Sequence, residues 1–251
     1  MRKVYIIGIG AGDPDHMTIQ AINALNKVDV FFVMDKGPAK ADLTRLRMEI
    51  CERFMRDRLY RFVEVADPVR DRQAATYEEG VRAWHEQRAE IYEALIRDEL
   101  AEEECGAFLS WGEPSLYDST LRILDQVAAR GTVAFDYEMI PGISSLQVLV
   151  ARHRIPMNRI GESIQITTGR QLVEGRLGRI DNVFVMLDGD CSFRHVMNDD
   201  LQIYWGAYLG TENELLVSGR LQEVAARIEE MRAEARARHG WIMDVYLLRR
   251  P

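Results

Sequence analysis

Val4-Tyr5-Ile6-Ile7-Gly8-Ile9-Gly10-Ala11-Gly12-Asp13-Pro14-Asp15 opens the chain with an apolar run that ends in alternating glycines and an acidic turn. Such a run predicts a buried strand, and glycines at its end let the backbone approach a ligand with no Cβ in the way. Asp15 or Thr18 can then cap a helix whose apolar stripe is Ile19, Ile22, Leu25 and Val28. Two familiar phosphate-binding loops do not fit. A dinucleotide fingerprint needs glycine where Asp13 stands, and a Walker loop needs a Gly-Lys-Ser/Thr that is absent. A carboxylate at a helix entrance repels phosphate, so the loop suits a neutral or cationic ligand. An ordinary strand-to-helix turn remains the alternative from this segment alone.

The chain has 251 residues and is 47% hydrophobic, enough for one large α/β domain or two of ordinary size, and two are expected. A formal net charge of −8 argues against general nucleic-acid binding, which needs a basic face to displace counterions. Cys51, Cys105 and Cys191 are odd in number and widely spaced, which indicates neither a disulfide framework nor a zinc site. The chain enters its first strand almost at once, with no leader-like pattern and no run of membrane-spanning length, so a soluble cytoplasmic protein with no membrane partner is expected.

Outward from the first loop the βα rhythm repeats. Asp29–Met34 reads as a strand ending at the breaker Asp35-Lys36-Gly37-Pro38, residues 42–57 carry helical spacing, and Leu59–Val65 alternates like a strand. Residues 72–104 form a highly charged segment best read as one or two amphipathic surface helices. A strand at Ala107–Trp111 breaks at Gly112-Glu113-Pro114 before a helix from about Asp118 to Ala129, and a strand at Val133–Ile140 ends in Pro141-Gly142-Ile143-Ser144-Ser145. Three strand ends thus carry glycine loops, and in an open parallel sheet such loops gather at the carboxyl edge where ligands bind. Beyond Pro156 the rhythm changes to strands at Ser163–Thr168, Val183–Leu187, Leu201–Tyr208 and Trp241–Leu248, with one long helix at Gln222–Arg238. The expected fold is α/β with two domains: an N-terminal open parallel sheet with flanking helices over 1–141, and a C-terminal mixed α/β sheet over 142–251.

The three loops, taken in order, resemble the tetrapyrrole methylase family of S-adenosylmethionine-dependent methyltransferases along nearly the whole chain. The first motif of that family is similar to Gly-x-Gly-Pro-Gly-Asp-Pro-Asp-x-x-Thr, and Ile9–Thr18 follows it with Ala11 in place of proline. The second resembles Gly112-Glu113-Pro114-Ser115-Leu116-Tyr117, where Glu113 replaces the usual aspartate, and the third is intact at Pro141–Ser145. Asp35–Leu43 and Tyr204–Thr211 most resemble the branch that methylates a precorrin with deacetylation. The resemblance implies methyl transfer to C1 of a precorrin ring, coupled to hydrolytic loss of acetate, by a two-domain homodimer. Two other readings stay open: a precorrin methyltransferase that does not deacetylate, and a noncatalytic tetrapyrrole carrier.

A sulfonium donor transfers its methyl group by in-line displacement, so positioning outweighs acid catalysis, and acidic glycine loops fit a cationic cofactor. By resemblance, S-adenosylmethionine is contacted by Gly10 and Ala11, by Gly112, Glu113 and Leu116, and by Ser144 and Ser145. In the second half the corresponding positions are Met186 and Leu187, Ala207 and Tyr208, and Gly219 and Leu221. Against these stand plainer roles: Met186 and Leu187 as core residues, Glu113 as a helix cap, and Asp13 as an acceptor that shapes its own loop. A polycarboxylate substrate calls for basic residues, and Lys36, Lys40, Arg45 and Arg47 follow the second strand while Arg70 and Arg72 follow the third. Lys36, Lys40 and Arg45 are the first candidates, and each is also readable as a solvated surface charge. Deacetylation needs water to attack a carbonyl carbon and donors for the oxyanion. Glu113 and Tyr117 are the catalytic candidates, while His16, His85, His153, His195 and His239 carry no distinguishing signal, and no ligand spacing suggests a metal.

Overall fold

In a computed structural model of the chain, residues 1–35, 37, 41–56, 59–71, 73, 75–175, 180–197 and 200–251 are described, with the backbone alone at 41 and 42. The chain's internal contacts divide it into two compact units, Met1–Gly10 with Pro14–Ile143, and Ala11–Asp13 with Ser144–Pro251.

The first unit is built on five parallel strands: β1 (Arg2–Gly8), β2 (Val30–Asp35), β3 (Arg61–Ala66), β4 (Cys105–Ser110) and β5 (Phe135–Ile140). Their order is β3-β2-β4-β1-β5. Helices α1 (Ile19–Leu25) and α2 (Ala41–Phe54) cover one face of the sheet, against Tyr5, Ile7, Phe31 and Leu109. Helices α3 (Tyr77–Glu99) and α4 (Thr120–Arg130) cover the other, against Val4, Ile6, Phe32 and Phe108. With both faces buried, the inner strands β1, β2 and β4 are near-continuous apolar runs, while the edge strands β3 and β5 alternate with polar residues. The charged segment forms one helix, because a capping box starts it cleanly: Thr76 Oγ1 accepts from Glu79 N–H at 3.1 Å and the Glu79 carboxylate accepts from Thr76 N–H at 3.2 Å. At α1 the cap is Thr18, whose hydroxyl accepts from Ala21 N–H at 3.0 Å, while Asp15 pairs with Arg53.

Register places the strand ends on one edge. Gly8 is opposite Ser110 and Ile7 opposite Ile140, so the loops after β1, β4 and β5 leave the sheet side by side. Between β2 and β4 the ladder covers only Val30–Phe32 against Gly106–Phe108, although β2 continues beside β3 to Asp35 and β4 beside β1 to Ser110. The two central strands therefore part at the carboxyl edge.

The second unit is a five-stranded mixed sheet of β6 (Gln165–Thr168), β7 (Asn182–Met186), β8 (Gln202–Ala207), β9 (Leu215–Arg220) and β10 (Asp244–Arg249), ordered β6-β7-β10-β8-β9. Only β6 and β7 run parallel to each other. One face carries a core of Val183, Val185, Trp205, Val217, Tyr246 and Leu248 under α7 (Leu221–His239) and the short α6 (Gly169–Val173). On the other face, α5 (Ser145–His153) approaches so closely that a Cβ on Gly206 would lie 2.9 Å from Leu149 Cδ1. Strand β9 was not anticipated from the sequence. It is an exposed edge strand that runs straight into α7, so neither clean alternation nor a breaker announces it.

Candidate functional site

In the first unit the three glycine loops are one interlocked structure. Ile9 N–H donates to Ser110 C=O at 2.9 Å, and Gly112 N–H donates to Gly10 C=O at 2.8 Å, forming an isolated bridge beyond the ends of β1 and β4. A Cβ on Gly142 would lie 2.1 Å from the Gly112 carbonyl oxygen and 2.9 Å from Gly8 Cα, so only glycine fits where the third loop crosses the other two. Glu113 ties the assembly together. One carboxylate oxygen accepts from Ser115 N–H at 2.9 Å and the other from Gly142 N–H at 2.7 Å. It is therefore a clamp between the second and third loops and not the cap of α4. Leu116 is half-buried next to it, and Tyr117, 46% exposed, takes a left-handed φ of 54°. A side chain of that size in that conformation is a genuine outlier that its surroundings must hold in place. Burial raises the Tyr117 phenol pKa above its ordinary value. Two residues further on, the Ser119 hydroxyl accepts from the buried Arg88 at 3.1 Å, which pairs with Asp67 at 2.9 Å and so braces the start of α4.

In the second unit, the tip of the first loop is fixed by Gly12 at φ +143°, where a Cβ would lie 2.6 Å from the Leu209 carbonyl oxygen. That places Ala11, 2% exposed, beside the turn that follows Tyr208. Tyr208 is itself left-handed, with φ 50°, and its hydroxyl donates to the Trp241 carbonyl. The turn is held further by Thr211 Oγ1 donating to Tyr208 C=O at 2.7 Å and by Gly210 N–H donating to Glu214, which pairs with Arg152 at 3.0 Å. Ser144 caps α5 and is buried, with Gln147 folded back onto it, and Ser145 is half-buried. At the end of β7, Met186 is half-buried while Leu187 is 66% exposed with φ 52°. Leu187 is thus not a core residue. Ala207 and Leu221 are fully buried in the core, so their side chains are spent on packing; Gly219 is half-buried with an open φ of +155°.

The exposed Leu187 stands on a buried polar network that sequence reading did not find. The Asp188 carboxylate accepts from Ser192 N–H at 2.7 Å, Ser192 Oγ at 2.9 Å, Asp190 N–H at 3.0 Å and the Tyr246 hydroxyl at 2.7 Å. Arg232 donates to the Asp188 carbonyl at 2.7 Å and to Asp244 at 3.0 Å, and Asp244 also accepts from Trp205 Nε1 at 3.0 Å. Burial pushes the Tyr246 phenol well above its ordinary pKa, and the neighbouring Asp188 carboxylate adds to the shift. The Asp-Gly-Asp at 188–190 signals a turn, but nothing local points to partners more than forty residues away.

Of the substrate candidates, Lys36, Lys40 and Arg72 lie outside the described residues, and Arg45 is exposed on α2. Of the histidines, His153 is half-buried with Nε2 3.0 Å from the Trp205 carbonyl, and His85 lines a pocket of about 310 Å³ with Tyr77, Arg82 and Arg122. Among the described residues no three histidine, cysteine or carboxylate side chains converge as metal ligands do. No helix among them is long and apolar enough to cross a membrane.

The model of the Tetrapyrrole (Corrin/Porphyrin) Methylases matches residues 3–225, and the chain belongs to that family. Within it, the chain is 54% identical over 250 residues to the precorrin-6A synthase (deacetylating) of a Sinorhizobium species, covering 100% of this chain and 96% of that protein. A crystal structure of a protein described as cobalamin-synthesis-related (CobF), from Corynebacterium diphtheriae, matches with a TM-score of 0.85 at 41% identity, over 99% of this chain and 98% of that one. The uroporphyrin-III C-methyltransferase of Thermus thermophilus, solved with S-adenosylhomocysteine, matches with a TM-score of 0.60 over 98% and 92% of the two chains. At 17% identity that likeness is one of fold.

Proposed function

We propose that this chain is an S-adenosylmethionine-dependent C-methyltransferase that methylates C1 of precorrin-5 and releases acetate, giving precorrin-6A. The observation that carries the reading is 54% identity along the full chain to a precorrin-6A synthase (deacetylating). The local chemistry fits the cofactor. Residues 8–18, 112–119 and 141–145 contain no lysine or arginine and, apart from Asp15, which Arg53 pairs, carry Asp13, Glu113 and Asp118, an environment that favours a sulfonium cation over an anion.

When bound, the cofactor supplies the electrophilic methyl group. The contribution of the protein is placement, since an in-line displacement gains most from holding the reacting atoms within contact distance. In this reading the backbone groups of Gly10 and Gly112 and the side chain of Leu116 line the cofactor, and Glu113 acts on it by fixing the loops. From the second unit Ala11, Ser144, Ser145, Met186, Leu187, Ala207, Tyr208, Gly219 and Leu221 complete the proposed set. Tyr117 is the better placed of the two catalytic candidates, because both Glu113 oxygens are already engaged with backbone N–H groups. In the deacetylation a water oxygen adds to the acetyl carbonyl carbon with loss of a proton, the carbon–carbon bond to the ring breaks with its electron pair kept by the ring, and the acetyl group leaves as acetate. The protein is further read as a cytoplasmic homodimer whose two units are its domains.

Titration with S-adenosylhomocysteine and turnover of precorrin-5 test this together. The expected result is saturable binding and one acetate released per methyl transferred. Methylation without acetate would make the chain a non-deacetylating precorrin methyltransferase, and absence of both binding and turnover would leave the carrier reading. Sedimentation of the purified protein tests the dimer.

A further inference from the structure

At the carboxyl edge of the parallel sheet, the parting of β2 and β4 leaves the Leu109 carbonyl without a strand partner on the β2 side. Arg47 reaches into that gap from α2. Its Nε donates to Leu109 C=O at 3.0 Å and its Nη1 to Leu43 C=O at 2.7 Å. The direction follows from helix geometry, since a long side chain leans toward the N-terminus of its helix, and the N-terminus of α2 lies at this edge. The guanidinium is influenced by Asp118 and Tyr92, which belong to the opposite layer, so its head group lies over the edge of the sheet.

Two features taken together set this arginine apart. The first is its missing counter-ion. The buried Arg88 has Asp67 at 2.9 Å and the buried Arg232 has Asp244 at 3.0 Å. Like Arg47, the buried Arg249 makes no direct ion pair among the described residues: it donates to Asn182 Oδ1 at 2.6 Å and to the Pro156 and Met157 carbonyls at 2.8 and 2.9 Å, with Glu162 one step away through Asn182. Arg47 has two neutral carbonyls and no carboxylate within ion-pairing distance among the described residues. Desolvation is the largest influence on it and lowers its pKa, and Asp118 and Tyr92 offset that only in part. The second feature is location. The helix after β2 packs on one face of the sheet and the helix after β4 on the other. Adjacent strands whose connections depart in this way bound the crevice where open α/β sheets bind ligands. Beside Leu109, the Ser110 hydroxyl is 3% exposed and has no hydrogen-bond partner among the described residues.

We propose that Arg47 holds a ligand carboxylate in the crevice between β2 and β4. Resting on the function proposed above, that group is a side-chain carboxylate of the tetrapyrrole or the carboxylate of the cofactor's methionyl part. The fork geometry leaves Nη2 free to pair with it, and the two carbonyl contacts fix the guanidinium plane before the ligand arrives.

Precorrin-5 and S-adenosylhomocysteine are titrated separately onto the wild type, Arg47→Met and Arg47→Lys, with thermal unfolding of each protein recorded. Losing a charge-assisted contact predicts a dissociation constant raised about ten- to a hundredfold in Arg47→Met for one of the two ligands. Arg47→Lys, which keeps the charge and loses the fork, is expected to lie between. A loss confined to precorrin-5 assigns the carboxylate to the tetrapyrrole, and a loss confined to S-adenosylhomocysteine assigns it to the cofactor. Unchanged affinity for both, or a parallel loss of both that tracks a fall in melting temperature in both variants, overturns the proposal. A wild type that binds precorrin-5 without turning it over refutes the proposed reaction and leaves the Arg47 titration valid; a wild type that binds neither ligand refutes both.

Discussion

The two units hold their strand-end loops by opposite means. In the first, backbone meets backbone: the loops after β1, β4 and β5 touch at glycine positions, and one carboxylate, Glu113, closes the assembly. In the second, side chains hold the backbone: Asp188, Ser192, Tyr246, Arg232 and Asp244 form a buried network under an exposed, left-handed Leu187. The first solution depends on the absence of atoms and the second on the presence of matched donors and acceptors. Mutations that add volume should therefore damage one region, and mutations that remove a partner the other.

The largest effect is expected at Asp188. Replacement by alanine removes the acceptor of four donors, three of them buried, and loss of one member of a buried charged network costs about 3–5 kcal/mol. Denaturant unfolding of Asp188→Ala measures it, and a cost near that of an exposed aspartate would show that water replaces the network. Gly142→Ala comes next. Its new methyl would sit 2.1 Å from the Gly112 carbonyl oxygen, so the loops must separate, at about 2–3 kcal/mol for overpacking. The same unfolding measurement applies, and S-adenosylhomocysteine affinity should fall with it; an unperturbed variant would mean that the interlock is loose.

This contrast also explains what the sequence made readable. A close backbone approach requires glycine, so Gly8, Gly10, Gly112 and Gly142 are visible as letters, and the strands before their loops are visible as apolar runs at β1 and β4 and as alternation at β5. The parallel first sheet and the mixed second one followed from those patterns. The Asp188 network is not readable in the same way, because Tyr246 and Arg232 reach it across 58 and 44 residues of sequence, and each alone looks like an ordinary strand or helix residue. Arg47 was visible as one of several basic residues after β2. What separates it from Arg45 is the parting of two strands, a property of the sheet and not of the helix on which both residues lie. Strand β9 escaped because it fuses with the start of α7, leaving no punctuation between the two patterns.

Glu113→Gln sharpens the comparison at its boundary, since it changes a side chain within the region governed by backbone. An amide presents one oxygen and one NH₂ where the carboxylate presents two acceptors, so either Ser115 N–H or Gly142 N–H loses its partner. The expected cost is about 1–2 kcal/mol, smaller than at Asp188 because two donors depend on it instead of four. Unfolding and S-adenosylhomocysteine titration should shift together. Lost turnover with stability and affinity both intact would instead return Glu113 to the catalytic candidates.

The smallest expected effect lies at His153, on the last turn of α5. Burial lowers its pKa below the ordinary 6.5, opposed in part by the contact of its Nε2 with the Trp205 carbonyl and by Glu214. The folded state therefore resists the proton that the unfolded chain accepts. Below the unfolded value the unfolded state binds more protons, so stability is complete above about pH 6.5 and declines as the pH falls toward the folded value. His153→Gln keeps a donor for the Trp205 carbonyl and removes the titration. His85 is shifted in the same direction by burial, with Arg122 and Arg88 adding to it, so the variant should lose only part of the slope. Melting temperatures of the two proteins between about pH 7.5 and 5.5 should converge at the acid end if the wild type begins more stable. Parallel curves would mean that the ring is hydrated in the folded protein.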